Sequence, residues 1–167
     1  HLISQGCKRI VHVDGNVNRN VYADRLDGYK LALNESGIAF DPGLVIDNKL
    51  TDLTSSEAAQ FILNMKKLPD GIFTANDTSA VACIRELKLA GLKVPEDIAV
   101  VGFNNDPISK VIEPNLTTID YPGQEMGEIA ATTLINKLKK QPTGNLNTIV
   151  LRHKLIIRES SLKKGKI

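Results

Sequence analysis

The chain has 167 residues, of which 42% are hydrophobic and 24% charged, with a formal net charge of +2. That composition is ordinary for a globular domain, and the charge is too small to argue for a nucleic-acid surface, which shows as a clustered basic stripe. No apolar run approaches the roughly 18 residues of a membrane span, and no signal-peptide pattern opens the chain. The only basic cluster is the tail, Lys163, Lys164 and Lys166, which reads as a solvated terminus. Cys7 and Cys83 belong to no CxxC pair and read as two packed thiols in a reducing compartment.

The opening HLISQG has the form of a last helical turn closed by Gly6. A short β-branched strand follows at Ile10 to Val13, turned by Asp14-Gly15. Tyr22, Leu26, Tyr29 and Leu33 then fall on one helical face, which Gly37 ends. Leu44 to Ile46 reads as a second strand. Thr54-Ser55-Ser56-Glu57 has the form of a capping box, in which hydroxyl and carboxylate satisfy free amides at a helix start. Ala58, Phe61, Ile62 and Met65 make the stripe of that helix, and Pro69 stops it. Ile72 to Ala75 is a third strand. Asp77 or Thr78 is expected to cap the next helix, with Ala80, Val81, Ile84 and Leu87 inward and Gly91 at its end. Ile98 to Phe103 is a continuous apolar strand, as expected when both faces are covered.

From residue 9 to 103 the pattern is therefore β-α-β-α-β-α-β. Parallel neighbours need such crossovers, so the predicted fold is α/β, a parallel sheet flanked by helices. Beyond it, LTTIDY is a short extended piece, and Pro122 suits a first helical position. Met126, Ile129, Ala130, Leu134 and Leu138 continue a long helix. Ile149, Leu151, His153, Leu155 and Ile157 then alternate as a strand with one drier face.

Ligands of an open parallel sheet bind beyond the carboxyl ends of its strands. Four such ends carry polar pairs: Asp14-Gly15, Asp47-Asn48, Asn76-Asp77 and Asn104-Asn105. Turn chemistry explains them as well as a ligand crest does. The polar loop DGNVNRNVYADR brings Arg19 and Arg25 to the first end, and a guanidinium can give two parallel hydrogen bonds to neighbouring oxygens. The plain alternative for Arg25 is an ion pair with Asp24 or Asp27. No GxSxG elbow, HExxH or Walker loop is present. His1, His12 and His153 have no metal-type spacing, and His12 and Cys83 fall inside a strand and a helix. The crest suits recognition rather than catalysis, and no catalytic residue, metal or cofactor is expected.

The stretches HLISQGCKRIVHVDG, DRLDGYKLAL, DGIFTANDTSAVACIRELKLAGLKVPEDIAVVGFNN and PNLTTIDYP resemble the effector-binding domain of lactose-repressor (LacI/GalR-type) transcriptional regulators over residues 1 to 160. The resemblance implies a periplasmic-binding-protein-like type I architecture, two lobes with the effector between them. Residues 1–118 would form the C-terminal lobe. Residues 119–147 would be a crossing segment and a helix of the N-terminal lobe, 148–160 a return strand, and 161–167 a tail. The DNA-binding helix-turn-helix would lie outside this chain. Arg25 in DRLDGY matches the arginine that grips the effector. Asn76 and Tyr121 match cleft positions, as does Asn104, where an aspartate often stands; Arg19 and Asp14 are further candidates. An amide at 104 both donates and accepts. It removes a negative charge beside two arginines, which brings sugar acids and sugar phosphates into range beside a neutral sugar, the first expectation. The implied protein is a cytoplasmic, non-enzymatic, homodimeric regulator. It would bind a sugar-like effector, meet operator DNA through the missing domain, and have no membrane contact. Its dimer contact is expected at the exposed side of the helix from Thr78 and at Ile108 to Pro114. The alternative is a secreted sugar-binding receptor of a transport system.

Overall fold

The structure is a computed structural model and describes residues 1–139 and 148–163. The end of the expected crossing segment, 140–147, and the last tail residues, 164–167, lie outside the described residues. Strands β1 (Ile10–Asp14), β2 (Val45–Asp47), β3 (Gly71–Thr74) and β4 (Ala99–Val101) form one parallel sheet in the order β2-β1-β3-β4. Helices α1 (Asn20–Glu35), α2 (Asp52–Leu63) and α3 (Asp77–Leu89) make the three crossovers.

Alternation along the strands sorts the core into two layers. Val11, Val13, Ile72 and Val100 point to the side where α2 and α3 bring Ala58, Ile62, Ala80, Cys83, Ile84 and Leu87. Ile10, Ala99 and Val101 point to the other side, against Tyr29 and Leu33 of α1 and against Leu2 and Cys7 of the opening turn. Burial pushes the Tyr29 hydroxyl up to about 12 and the Cys83 thiol up to about 12. Gly37 and Gly91 end α1 and α3 at positive φ, as expected for the residue after a helix.

Several local expectations are corrected. α2 begins three residues earlier than expected, because Thr51 caps it and Thr54, not Glu57, closes the box. It also ends at Leu63, before Pro69, where the Asn64 amide donates to Gln60 O. The cap of α3 is Asn76, whose Oδ1 accepts from Ser79 N at 2.8 Å, rather than Asp77 or Thr78. β4 is shorter than the apolar run that announced it, since the chain turns at Gly102.

After β4 the chain leaves the parallel sheet. Thr117 touches Val101 in a single parallel bridge, and β5 (Thr118–Asp120) then pairs only with β6 (Lys154–Ile156), antiparallel. The alternating run from Ile149 is thus strand over three residues only. Between them α4 (Gly123–Lys139) has no buried residue. Arg158 pins the return: its guanidinium donates to Leu116 O at 2.6 Å, Asn105 Oδ1 at 2.7 Å and Ser109 Oγ at 3.1 Å. Lys163 in turn donates to Asp70 O at 3.0 Å.

Candidate functional site

Strand order reverses between β1 and β3, and it is at such a switch point that an open α/β sheet forms its crevice. Arg25 reaches this point from α1. Its Nη1 donates to Ala75 O, just past β3, at 2.6 Å, and its guanidinium lies 3.7 Å from the centre of the Phe103 ring. Tyr22 stands on another side at 5.5 Å. Cation–π attraction and one short hydrogen bond hold the fork in place, and its other N–H groups have no partner among the described residues. The plain alternative, an ion pair with Asp24 or Asp27, is not formed; Asp27 pairs with Lys30 instead. Burial lowers the tendency of Arg25 to hold its proton, and Tyr22, Asp14 and Tyr121 act the other way. An arginine stays charged in such a setting.

Arg25 opens into a cleft of about 890 Å³, in which Phe103, Asn104, Tyr121, Met126, His153 and Asp24 also take part. The cleft continues as a mostly apolar groove along α1 to Leu2 and Ile3. Of the sequence candidates it brings together Arg25, Asn104 and Tyr121. The other three take different places. Arg19 is the exposed residue before α1 and makes no capping bond. Asn76 follows Ala75, next to the Arg25 contact, with its Oδ1 occupied as the α3 cap and the rest of its amide free of protein partners among the described residues. Asp14 is 1% exposed, so its carboxylate lies beneath the crest and not on it; its Oδ1 accepts from Gly15 N at 2.8 Å.

The amides after β4 divide their work. Asn105 is structural: its Oδ1 takes the Arg158 bond, its Nδ2 donates to Asp120 Oδ1 at 3.0 Å, and its backbone N–H donates to Thr118 Oγ1. Asn104 lines the cleft and donates to Asp106 Oδ2 at 3.3 Å. Both have positive φ, 120° at Asn104 and 57° at Asn105. The second value suits asparagine, and the first is a strained conformation of the kind that gathers at ligand sites. Asp77 supports this turn from below. Fully buried, it accepts from Thr118 Oγ1 at 2.6 Å and Asp106 N at 2.7 Å. Gly102 is required where it passes Asp77, because a Cβ there would strike Asp77 Oδ1 and the Leu116 side chain.

Phe103, Tyr22 and Asp24 are site residues that the sequence reading did not select. Phe103 reads as the last apolar residue of a strand, and its contact with Arg25 spans 78 positions of chain, which no local pattern reports.

The family model described as a periplasmic binding protein-like domain matches residues 1–161. The ribose operon repressor of Haemophilus influenzae is 31% identical over 159 residues, which cover 95% of this chain and 48% of the relative. The HTH-type transcriptional regulator RegA of Clostridium saccharobutylicum is 35% identical over 162 residues, with 96% and 48% covered. Among solved structures, a complex of the transcriptional regulator CelR with cellobiose superposes with a TM-score of 0.89 at 31% identity, over 95% of this chain and 48% of that one. The chain spans about half the length of the curated relatives it matches.

Proposed function

The chain belongs to the periplasmic-binding-protein-like domain family in the form carried by LacI-type transcriptional regulators, and from that membership we propose that its cleft binds a small polar effector, a sugar or sugar derivative. The observation that carries this reading is the Arg25 fork, held by Ala75 O and Phe103 at the switch point with no carboxylate paired to it among the described residues. Asn104 and Tyr121 complete the polar wall, and Asn76 and Arg19 are its neighbours at the rim. A guanidinium and an amide of this kind match vicinal hydroxyls or a carboxylate. Because the amide at 104 carries no charge, it suits a neutral sugar and adds no repulsion of its own toward an anionic one, while Asp24 in the cleft wall and Asp106 beside Asn104 favour the neutral ligand.

In this proposal residues 1–118 form one lobe, and the crossing at β5 leads α4 into the second. The effector would bind two lobe arrangements with different affinity, and that difference would reach operator DNA through the DNA-binding domain. A homodimer would form through the outer side of α3 and residues 108–114, where Leu89 and Val111 are exposed. We place the protein in the cytoplasm as a non-enzymatic regulator. Relatives that are repressors and regulators favour this over a secreted receptor. No helix among the described residues is long and apolar enough to cross a membrane.

A thermal-shift panel of sugars, sugar acids and sugar phosphates on the gene product that carries this chain identifies the effector. A ligand at about 100 times its Kd adds about 2.7 kcal/mol of stability. Calorimetry then compares the wild type with Arg25→Ala and with Lys66→Ala, an exposed control. Charge-assisted hydrogen bonds contribute about 1.5–3 kcal/mol, so Arg25→Ala is expected to weaken binding roughly ten- to a hundredfold. Unchanged affinity in a folded Arg25→Ala protein moves the site elsewhere.

A further inference from the structure

His12 and Asp14 form a buried polar pair under the cleft that neither core packing nor direct ligand contact explains. Both lie on the α1 side of β1, His12 with no exposure and Asp14 with 1%. His12 Nδ1 is 3.1 Å from Phe73 O. A carbonyl only accepts, so Nδ1 carries a proton. His12 Nε2 stands 3.3 Å from Asp14 Oδ1, within ion-pair distance but not aligned as a hydrogen bond, and neither Nε2 nor Asp14 Oδ2 has a hydrogen-bond partner among the described residues.

A neutral ring in this tautomer would turn a lone pair toward a carboxylate oxygen, with both atoms closed to solvent. Two facing buried acceptors are costly. A second ring proton removes the conflict and makes an ion pair. The surroundings suit a cation, since the ring stacks on Phe73 at 4.6 Å and on Tyr29 at 5.3 Å, and aromatic faces attract positive charge.

We propose that His12 is a positioning residue of the effector site: as an imidazolium it fixes the Asp14 carboxylate, which shapes the Gly15–Arg19 loop and stands behind Arg25. This rests on the binding reading for its purpose, but its chemistry stands on β1 and the β3 and α1 residues packed on His12. Asp14 Oδ1 takes the Gly15 N–H, so the carboxylate sets the first turn of the loop that carries Arg19. Tyr22 packs directly over Gly15, which makes that turn the floor beneath Arg25. Facing the pair are Tyr22, Arg25 and Tyr29 from α1 and Asp47, the register neighbour of Asp14, from β2; β3 presents no titratable group. Loss of the second ring proton would leave Asp14 unanchored and loosen the loop.

The test needs no effector, so its failure is separate from failure of the binding reading. Long-range 1H–15N spectra of the 167-residue chain read the imidazoles between about pH 6 and 9. Expected at neutral pH is one ring with both nitrogens protonated, absent in His12→Gln and converted to a neutral tautomer in Asp14→Asn. The Gly15 amide and Arg25 Nε signals are expected to titrate with the same midpoint as that ring, and to lose that titration in His12→Gln. A purely structural histidine would not move them. A neutral His12 ring at pH 7, or Gly15 and Arg25 signals that ignore its titration, overturns the proposal; both readouts are taken on the wild type and do not depend on the variants folding.

Discussion

At Asp77 a buried carboxylate accepts two hydrogen bonds and, among the described residues, receives no ion pair, so its two substitutions should part company. Asp77→Ala leaves the Asp106 N–H and the Thr118 hydroxyl without their acceptor, a loss of about 1–3 kcal/mol. Asp77→Asn can keep an oxygen toward Asp106 N and turn its amide toward the Thr118 oxygen, so it is expected to cost much less. The pH dependence separates charge from geometry. Burial is the main cause that raises the Asp77 carboxyl above its ordinary value, against the two hydrogen bonds that lower it. A folded value above the unfolded one means that the folded state binds more protons between the two, so acidification through that window adds stability. The asparagine does not titrate. Urea unfolding from neutral to mildly acidic pH should therefore show the wild type gaining on Asp77→Asn as pH falls; a gap that moves the other way contradicts the assignment of burial as the main cause.

At the scale of elements, periodicity predicted the order and handover of strands and helices correctly, because both faces of this sheet are covered and the apolar stripes are clean. Ends were less legible. Thr54 and Glu57 satisfy the capping pattern, but Thr51 satisfies the cap three residues earlier with a threonine at the third position, and the longer helix wins. The same competition occurs at α3, where Asn76, Asp77 and Thr78 are all good caps in sequence. Asn76 takes the role because Asp77 is drawn under the Gly102 turn by Asp106 and Thr118, partners about thirty and forty positions away. Asn76→Ala is expected to lower stability by about 1 kcal/mol, and Asn76→Asp to retain most of it, since an acceptor at the cap is what matters. Equilibrium unfolding checks both. The site was legible to the same depth. Arg25 stands in a recognisable string, whereas the Phe103 beneath it and the burial of Asp14 depend on contacts between distant strands.

Across the whole molecule, the parallel sheet and its three helices form a finished core, while the pieces after the β5 crossing do not. Among the described residues, α4 buries none, leaving Met126, Leu134 and Leu138 exposed, and Val150 near β6 is 83% exposed. Exposed apolar area of this extent promotes association. The chain made alone should self-associate with rising concentration in sedimentation experiments, and Leu134→Glu with Leu138→Glu should reduce this without lowering the melting temperature. A wild-type chain that stays monomeric while α4 remains helical would count against a second lobe as its partner. The core itself offers a way to time its own opening. Cys7 and Cys83 are sealed, and burial raises both thiols, Cys83 to about 12. Only an accessible thiolate attacks a disulfide reagent, so the native chain already carries two silent clocks with no engineering. Cys7 lies under the opening turn, where lifting residues 1–6 uncovers it; Cys83 lies mid-helix between sheet and α2 and waits for the domain to come apart. Labelling should run in two phases, Cys7 first, and a denaturant that speeds the second far more than the first would mark the boundary between local fraying and cooperative unfolding.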